Sequence, residues 1–134
     1  DIVALPAMAQ FRKTRRLDGA YTLTERDRHA AHADSIGLAA DFEKVGDWYE
    51  IPYGCLYHPN CDNMLAAGRM ISSDGWAWDV TRVIPVCALT GQAAGLAAAQ
   101  IAATGQTAAA LPIDGLQKAL REQGVVLHRA DLAE

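Results

Sequence analysis

The sequence predicts an α/β fold in which short apolar strands precede a long helix. Residues 47–56 and 63–71 are rich in aromatic, β-branched or small apolar side chains and border on turn-forming residues, as strands do. Residues 83–103 carry no charged side chain and are rich in alanine, which favours a long helix. With 134 residues, 51% of them hydrophobic and 21% charged, the chain has the composition of one globular domain.

The first predicted element is a surface helix over residues 25–36. Thr24 is followed three residues later by Asp27, which resembles the capping box at the start of a helix. The alanine-rich, charged sequence that follows favours a helix on the surface. His29 and His32 lie one turn apart on it, but no third ligand follows at metal-binding spacing, so we interpret them as a solvated face and predict no metal site.

Three short strands are predicted. Residues 47–56 contain Pro52, which cannot donate a backbone hydrogen bond, so this segment is expected to form an edge strand or an extended segment. Residues 63–71 are apolar and are followed by the turn-forming residues 72–75, which predicts a buried strand. Residues 125–127 are predicted to form a last, short strand.

The long helix over residues 83–103 has two conceivable settings. Pro85 is tolerated in its first turn, and Gly91 and Gly95 have the small-residue spacing found in membrane helices. Most of its apolar residues are alanine, however, which contributes little to transfer into lipid. We therefore predict no membrane partner and expect a helix buried in a layered fold, with a small-residue face that another backbone approaches.

The last predicted helix covers residues 115–123. Asp114 is its N-cap candidate, Leu116 and Leu120 lie on one face, and Gly124 is the C′ residue.

Charge and cysteine content exclude some classes of protein. The net charge of −4 argues against a general nucleic-acid surface, which needs clustered cations. The basic cluster of residues 12–16, with Arg12, Lys13, Arg15 and Arg16, is interpreted as a solvated turn or strand edge. The three cysteines show no C-x-x-C spacing, which argues against a disulfide framework or a zinc site. Their small number points to a reducing, cytoplasmic location.

The first residues show no charged-then-apolar segment of the kind found in signal peptides. The chain opens on Asp1 without a methionine, which we interpret as a fragment boundary or a processed end.

Several spaced motifs resemble one known family. Residues 50–104, from "EIPYGCL" through "NMLAAGRMIS" to "TRVIPVCALTGQAAGLAAAQIA", resemble the C-terminal part of FAD-dependent oxidoreductases with a glutathione-reductase-like fold. The earlier "FRKTRRLDGAYTLTERD" resembles a segment of the substrate domain in the same family. The resemblance implies a fragment of this FAD/NAD(P)-binding fold, namely its last strand and long buried helix, with part of a substrate domain. It implies a substrate-domain segment over residues 1–61 and the C-terminal part of an FAD-binding domain over residues 62–134.

The same resemblance implies the cofactor, FAD, and the residues that bind it. In this family the last strand of the cofactor domain ends in a glycine whose backbone approaches the ribityl and pyrophosphate groups, and the next helix points its N-terminus at the isoalloxazine ring. Arg69 stands where many related proteins have aspartate. The implied cofactor-binding residues are Gly68, Arg69, Ser72, Arg82, Val83, Pro85, Gly91 and Gln92.

The sequence departs from the family pattern in two ways. It contains no G-x-G, so the pyrophosphate half of the FAD site is expected from an N-terminal FAD-binding portion, in the same protein or another chain. The family's histidines between residues 72 and 82 are missing, so their proton-transfer roles are not carried over and the catalytic acid and base stay unassigned. Asp74, Asp79 and His58 are candidates, although each also suits an ordinary loop.

Two further alternatives stay open at this point. Trp76 and Trp78 either wall the flavin or stack on a substrate, or they pack onto the domain itself. Cys87, near the helix start, is either a thiol of lowered pKa or a small residue in a crowded position.

The resemblance implies hydride transfer from a small-molecule substrate to flavin N5, with this chain as the flavin-facing part of the enzyme. The intact Gly68-Arg69 and Gly91 to Gly95 patterns favour that function. The alternative is a non-enzymatic structural or oligomerising module of the same fold that binds no flavin, and the missing G-x-G favours it. A homo-oligomer is compatible with both.

Overall fold

The computed structural model of the chain describes residues 12–132, so the interpretation of Asp1 lies outside the described residues. Within that range the chain forms two strands and three α-helices joined by short 3₁₀ turns, which confirms the α/β class. The elements are β1 (Ser35–Ala40), β2 (Trp48–Pro52), α1 (Gly75–Thr81), α2 (Ile84–Thr104) and α3 (Ile113–Glu122).

The two strands form an antiparallel sheet. Leu38 lies opposite Glu50 and Ala39 opposite Tyr49, with a register shift nearer the start of β1. The predicted edge strand over residues 47–56 is confirmed only in its first half, since β2 ends at Pro52 and a 3₁₀ turn follows. Proline is tolerated at the edge of a sheet, because the N–H group that it lacks is not needed for a hydrogen bond to a further strand.

The predicted helix over residues 25–36 is wrong. The capping box between Thr24 and Asp27 is present, but only the 3₁₀ turn Glu25–Asp27 follows it. His29 has a φ of 62°, which no α-helix accommodates, and the chain then enters β1. A capping box stabilises only the first turn, and here pairing with β2 determines the conformation of the residues that follow.

The predicted strand over residues 63–71 is also wrong. Ala67 is extended, but Gly68 has a φ of 73° and opens the 3₁₀ turn Gly68–Met70. The nearest approach to a sheet is a single parallel bridge between Leu23 and Ser73. An apolar run is compatible with a strand, yet a left-handed glycine inside it interrupts any ladder.

Residues 125–127 do not form the predicted last strand. One backbone bond, from Leu38 N to Val126 O at 3.0 Å, connects this segment to β1. The segment therefore lies beside the sheet without extending it.

The long helix is confirmed in position but not in its burial. α2 begins after Val83, has Pro85 in its first turn, and ends at Gly105, whose φ is 67°. By length and composition alone it is apolar enough to cross a membrane, yet only 22% of its most apolar window is buried. The expectation of a helix buried on all sides is wrong, because a single face packs on the core; its buried residues are Val86, Thr90, Ala93 and Ala97.

The short helix α1 was not predicted. Asp74 is its N-cap, and the carboxylate accepts a hydrogen bond from Gly75 N at 2.8 Å. The turn expected over residues 72–75 is wrong, because Ser73 forms a bridge with Leu23 and Asp74 starts a helix.

The last helix, α3, starts two residues earlier than predicted, at Ile113 after the N-cap Pro112, so Asp114 lies in the first turn rather than at the cap. Gly124 follows the helix with a φ of 81°, as predicted for a C′ glycine.

One hydrophobic core receives side chains from both halves of the chain. Leu23, Ile36 and Tyr49 from residues 12–61 pack in the same buried cluster as Ala93 and Leu116 from the second half. The predicted division at residues 61 and 62 stays a prediction, and the described residues on its two sides are packed together.

Truncation of a buried leucine of α3 tests this arrangement. Leu120 is fully buried, so Leu120→Ala is expected to lower the free energy of unfolding by about 2–5 kcal/mol through lost burial and a cavity. The matched control is Leu132→Ala, because Leu132 is 41% exposed and its loss should change little. Urea unfolding of both variants measures this, and equal effects would contradict the placement of the core.

Candidate functional site

Gly68 lies against the first two turns of α2. Its backbone N–H donates to Thr90 Oγ1 at 2.9 Å, and the Thr90 hydroxyl in turn donates to Val86 O at 2.9 Å. A Cβ built on Gly68 would lie 3.8 Å from Cys87 Sγ, an ordinary contact. Glycine is therefore required here by the φ of 73°, which other residues adopt at a cost, rather than by lack of space within the chain.

The N-terminus of α2 is exposed and has no side-chain cap. Val83 is the N-cap residue and makes no side-chain bond to the helix, and the first turn contains no acidic residue. Ile84 is 86% exposed although it is a large apolar residue. Backbone N–H groups at such an end lack intrahelical partners and carry the positive end of the helix dipole, so they can bind an electron-rich group.

Two arginines lie close to this end of the helix, and they differ in availability. The backbone oxygen of Arg69 accepts a hydrogen bond from Trp78 Nε1 at 2.8 Å, but its exposed guanidinium has no hydrogen bond or ion pair within residues 12–132. Arg82 is engaged, because its Nε donates to Asp79 Oδ1 at 2.9 Å. Arg69 is thus the cation free to meet a ligand.

A comparison with known protein families gives one match. The family model described as FAD dependent oxidoreductase matches residues 1–120. The chain belongs to the FAD-dependent oxidoreductase family. The comparisons with curated proteins and with solved structures gave no match.

Membership in this family implies FAD as the cofactor, and the residues around Gly68 suit one side of it. A glycine without side chain, an uncapped helix N-terminus and a free guanidinium lie together at the first turns of α2. Flat, electron-rich groups are held by such backbone N–H groups and cations. The sequence has no G-x-G turn for the pyrophosphate, so the fit concerns the flavin side only.

Two of the predicted cofactor residues have other contacts, and a third is exposed on α2. Ser72 is fully buried, and its hydroxyl is 3.0 Å from Gly19 N and 2.8 Å from Thr22 Oγ1. Gln92 donates to Gln123 Oε1 at 2.7 Å, and Gly91 is exposed. Both of the latter lie about two turns beyond the helix start. Their roles in cofactor binding stay predictions, as do those of Gly68, Arg69, Arg82, Val83 and Pro85.

Cys87 does not have the lowered pKa of a reactive thiol. Its Sγ donates to Arg82 O at 3.4 Å. Burial raises the pKa of the thiol, and the positive charge of Arg69 offsets this only in part. The thiol-activation hypothesis is therefore wrong, and Cys87 serves as a packing residue beneath Gly68.

The acid and base candidates are all engaged in local contacts. Asp74 caps α1, and His58 Nδ1 accepts a bond from Asn60 N at 3.0 Å. Burial by itself would raise the pKa of Asp79, but hydrogen bonds and charges from Lys13 and Arg82 outweigh it and lower the pKa. These contacts are those of loop and cap residues.

The two tryptophans pack onto the domain. Trp76 Nε1 donates to Asp41 Oδ2 at 2.5 Å, and its ring lies 5.7 Å from that of Phe42. Trp78 donates to the backbone of Arg69 and lies beneath Lys13, whose Nζ is 5.8 Å from the ring centre. With both indole N–H groups occupied, the packing alternative describes the observed contacts.

The histidines of the first half also differ from expectation. His29 Nε2 is 3.0 Å from Asp47 and His32 Nε2 is 3.7 Å from Asp27, so each faces a carboxylate instead of lying on a helix surface.

Sequence reasoning missed two residues of the site. Thr90 fixes Gly68 to α2 through its hydroxyl, and Ile84 presents an exposed apolar surface at the helix start. The position of Thr90 directly before Gly91 carries no signal of a contact with a glycine 22 residues away. The exposure of Ile84 follows only from the orientation of α2 on the core.

The reactivity of Cys87 tests the electrostatics of this site. Because its pKa is raised, the thiol should be protonated at neutral pH and react slowly with iodoacetamide. The reaction rate should continue to increase with pH beyond the pH range in which ordinary thiols titrate. Arg69→Gln removes the charge that favours the thiolate and should slow the reaction further, whereas Arg26→Gln, remote from the site, should not. Peptide mass spectrometry measures the rates, and a rate that levels off near neutral pH would contradict the raised pKa.

Proposed function

We propose that this chain supplies the flavin-facing half of the FAD site in an enzyme that transfers hydride from a small-molecule substrate. The observation that carries this proposal is the contact of Gly68, in left-handed conformation, with the first turns of a helix whose N-terminus is exposed and uncapped. Family membership supports the cofactor and the reaction class.

The chain's own residues have distinct roles in this proposal. Gly68 keeps side-chain atoms away from the cofactor and lets the backbone turn, and Thr90 holds that turn against α2. The N–H groups that follow Val83 and the guanidinium of Arg69 stabilise negative charge near the helix start. FAD, when bound, supplies the two-electron acceptor. Ile84 and Pro85, both exposed, exclude water from the covered site.

The partner in this proposal is an N-terminal FAD-binding portion, in the same protein or another chain, that completes a glutathione-reductase-like fold. The exposed face of α2 is suited to it, because small and apolar residues there allow another backbone to come close. These exposed residues recur every three or four positions, at Ile84, Ala88, Gly91, Gly95, Ala98 and Ala102. At Gly91 and Gly95 a Cβ would meet no atom of the chain within 4 Å, so the space in front of both glycines is open.

A non-enzymatic module is the second candidate function. Its support is that the acid and base candidates and both tryptophans are already engaged within the fold. A protein with this function would be colourless after purification and would take up no added FAD.

Replacement of Gly68 separates these candidates. Gly68→Val forces a β-branched residue into a left-handed conformation and places side-chain atoms at the cofactor face, so retention of FAD should be lost. Gly105→Val is the matched control, because Gly105 has a φ of 67° at the far end of α2. Both variants should lose about 1–2 kcal/mol of stability, but only the first should lose flavin, as measured by visible absorbance of the full-length protein. Equal flavin content in the two variants would reject the proposed role of Gly68.

A further inference from the structure

A shallow groove lies beside the Gly68–Met70 turn, on the surface of the chain. Its volume is about 270 Å³, and the described residues that line it come from residues 15–17, residues 64–66 and Met70. A backbone bond from Leu17 N to Met70 O at 2.8 Å holds the first segment against the turn. The groove therefore has a fixed position next to the proposed flavin side.

The floor of the groove is apolar and exposed. Met64 is 43% exposed and Met70 is 54% exposed, while the adjoining Leu65 packs partly onto the core. Methionine is flexible and polarisable and adapts to apolar ligands of different shape. Two exposed methionines side by side provide a surface for the apolar part of a small molecule.

The rim of the groove carries one available cation. Arg15 is exposed and makes no hydrogen bond or ion pair within residues 12–132. Its neighbour Arg16 is already engaged, because its guanidinium lies 3.2 Å from Leu17 O and 3.8 Å from Asp74 Oδ2. Lys13 is paired with Asp79 at 2.6 Å. In a chain with a net charge of −4, a free guanidinium over an apolar floor selects for anions.

We propose that this groove binds an organic acid with an apolar chain, with the carboxylate on Arg15 and the chain on Met64 and Met70. A guanidinium binds a carboxylate through two parallel hydrogen bonds, and one free cation matches a singly charged carboxylate better than a doubly charged phosphate. Because the groove adjoins the turn that begins at Gly68, the acid is the substrate of the oxidoreductase; this assignment rests on the proposed function.

The groove shares no residue with the positions assigned to FAD. Its cation, Arg15, belongs to the substrate-domain segment predicted from the sequence, whereas Gly68 and Arg69 belong to the flavin side. Binding of the acid and binding of FAD can therefore be measured separately.

The test uses octanoate as the probe and the methyl groups of ¹³C-labelled methionine as reporters in the full chain. Octanoate should shift the Met64 and Met70 signals saturably, and Arg15→Gln should weaken its binding about tenfold or more through loss of a charge-assisted contact. The matched control, Arg26→Gln, removes another exposed arginine, which lies outside the groove, and should leave the affinity unchanged. Octan-1-ol, which has the same chain without the carboxylate, should bind at least tenfold more weakly.

Unchanged octanoate affinity in Arg15→Gln, or equal binding of octanol and octanoate, would overturn the proposal. Tighter binding of inorganic pyrophosphate would do the same, because it would assign the groove to a phosphate group. Bound flavin is measured on the same samples by absorbance. A protein that retains FAD but shows no saturable octanoate shift would refute the groove while the proposed function stands. Saturable, Arg15-dependent shifts in a preparation that also contains the N-terminal FAD-binding portion and still takes up no FAD would support the groove and refute the proposed function.

Discussion

The backbone of residues 70–74 joins the two halves of the chain, and the position of the candidate site depends on it. This segment forms no regular strand, yet its peptide groups bond to two earlier segments on either side. The bonds are Leu17 N to Met70 O, Leu23 N to Ser72 O, Ser72 N to Cys55 O and Asp74 N to Leu23 O, at 2.8, 3.0, 2.9 and 2.9 Å. Gly68 lies just before this segment and α1 directly after it, so these bonds set where the turn meets α2.

The contact between Gly68 and α2 has a cost that the rest of the fold must offset. The left-handed glycine loses more conformational freedom on folding than other residues. The exposed apolar face of α2 is not buried against the core, so it contributes no hydrophobic stabilisation to the fold. In the proposed half-site, a cofactor and a second fold segment would cover both features. That proposal accounts with one cause for a left-handed glycine turn and for a helix that is buried on a single side.

The features that local chemistry determines were predictable from the sequence. α2 was predicted from uncharged, alanine-rich residues with an early proline, and Gly124 was predicted as a C′ residue. The helix over residues 25–36 and the strand over residues 63–71 were wrong because pairing with β2 and a left-handed Gly68 decide those segments. Of the site, the family motifs indicated Gly68 and the start of α2. The contact with Thr90 and the groove under Arg15 are formed by segments far apart in sequence, so no local sequence pattern predicts them.

Amide hydrogen exchange with and without FAD, in the full-length protein, tests the central claim most directly. If this chain holds the flavin side of the cofactor, FAD should protect the amides of Gly68 and Arg69 and those of the first turn of α2, while those of α3 should keep their exchange rates. Protection confined to α3 or to the sheet, with no change at Gly68 and the start of α2, would contradict the account.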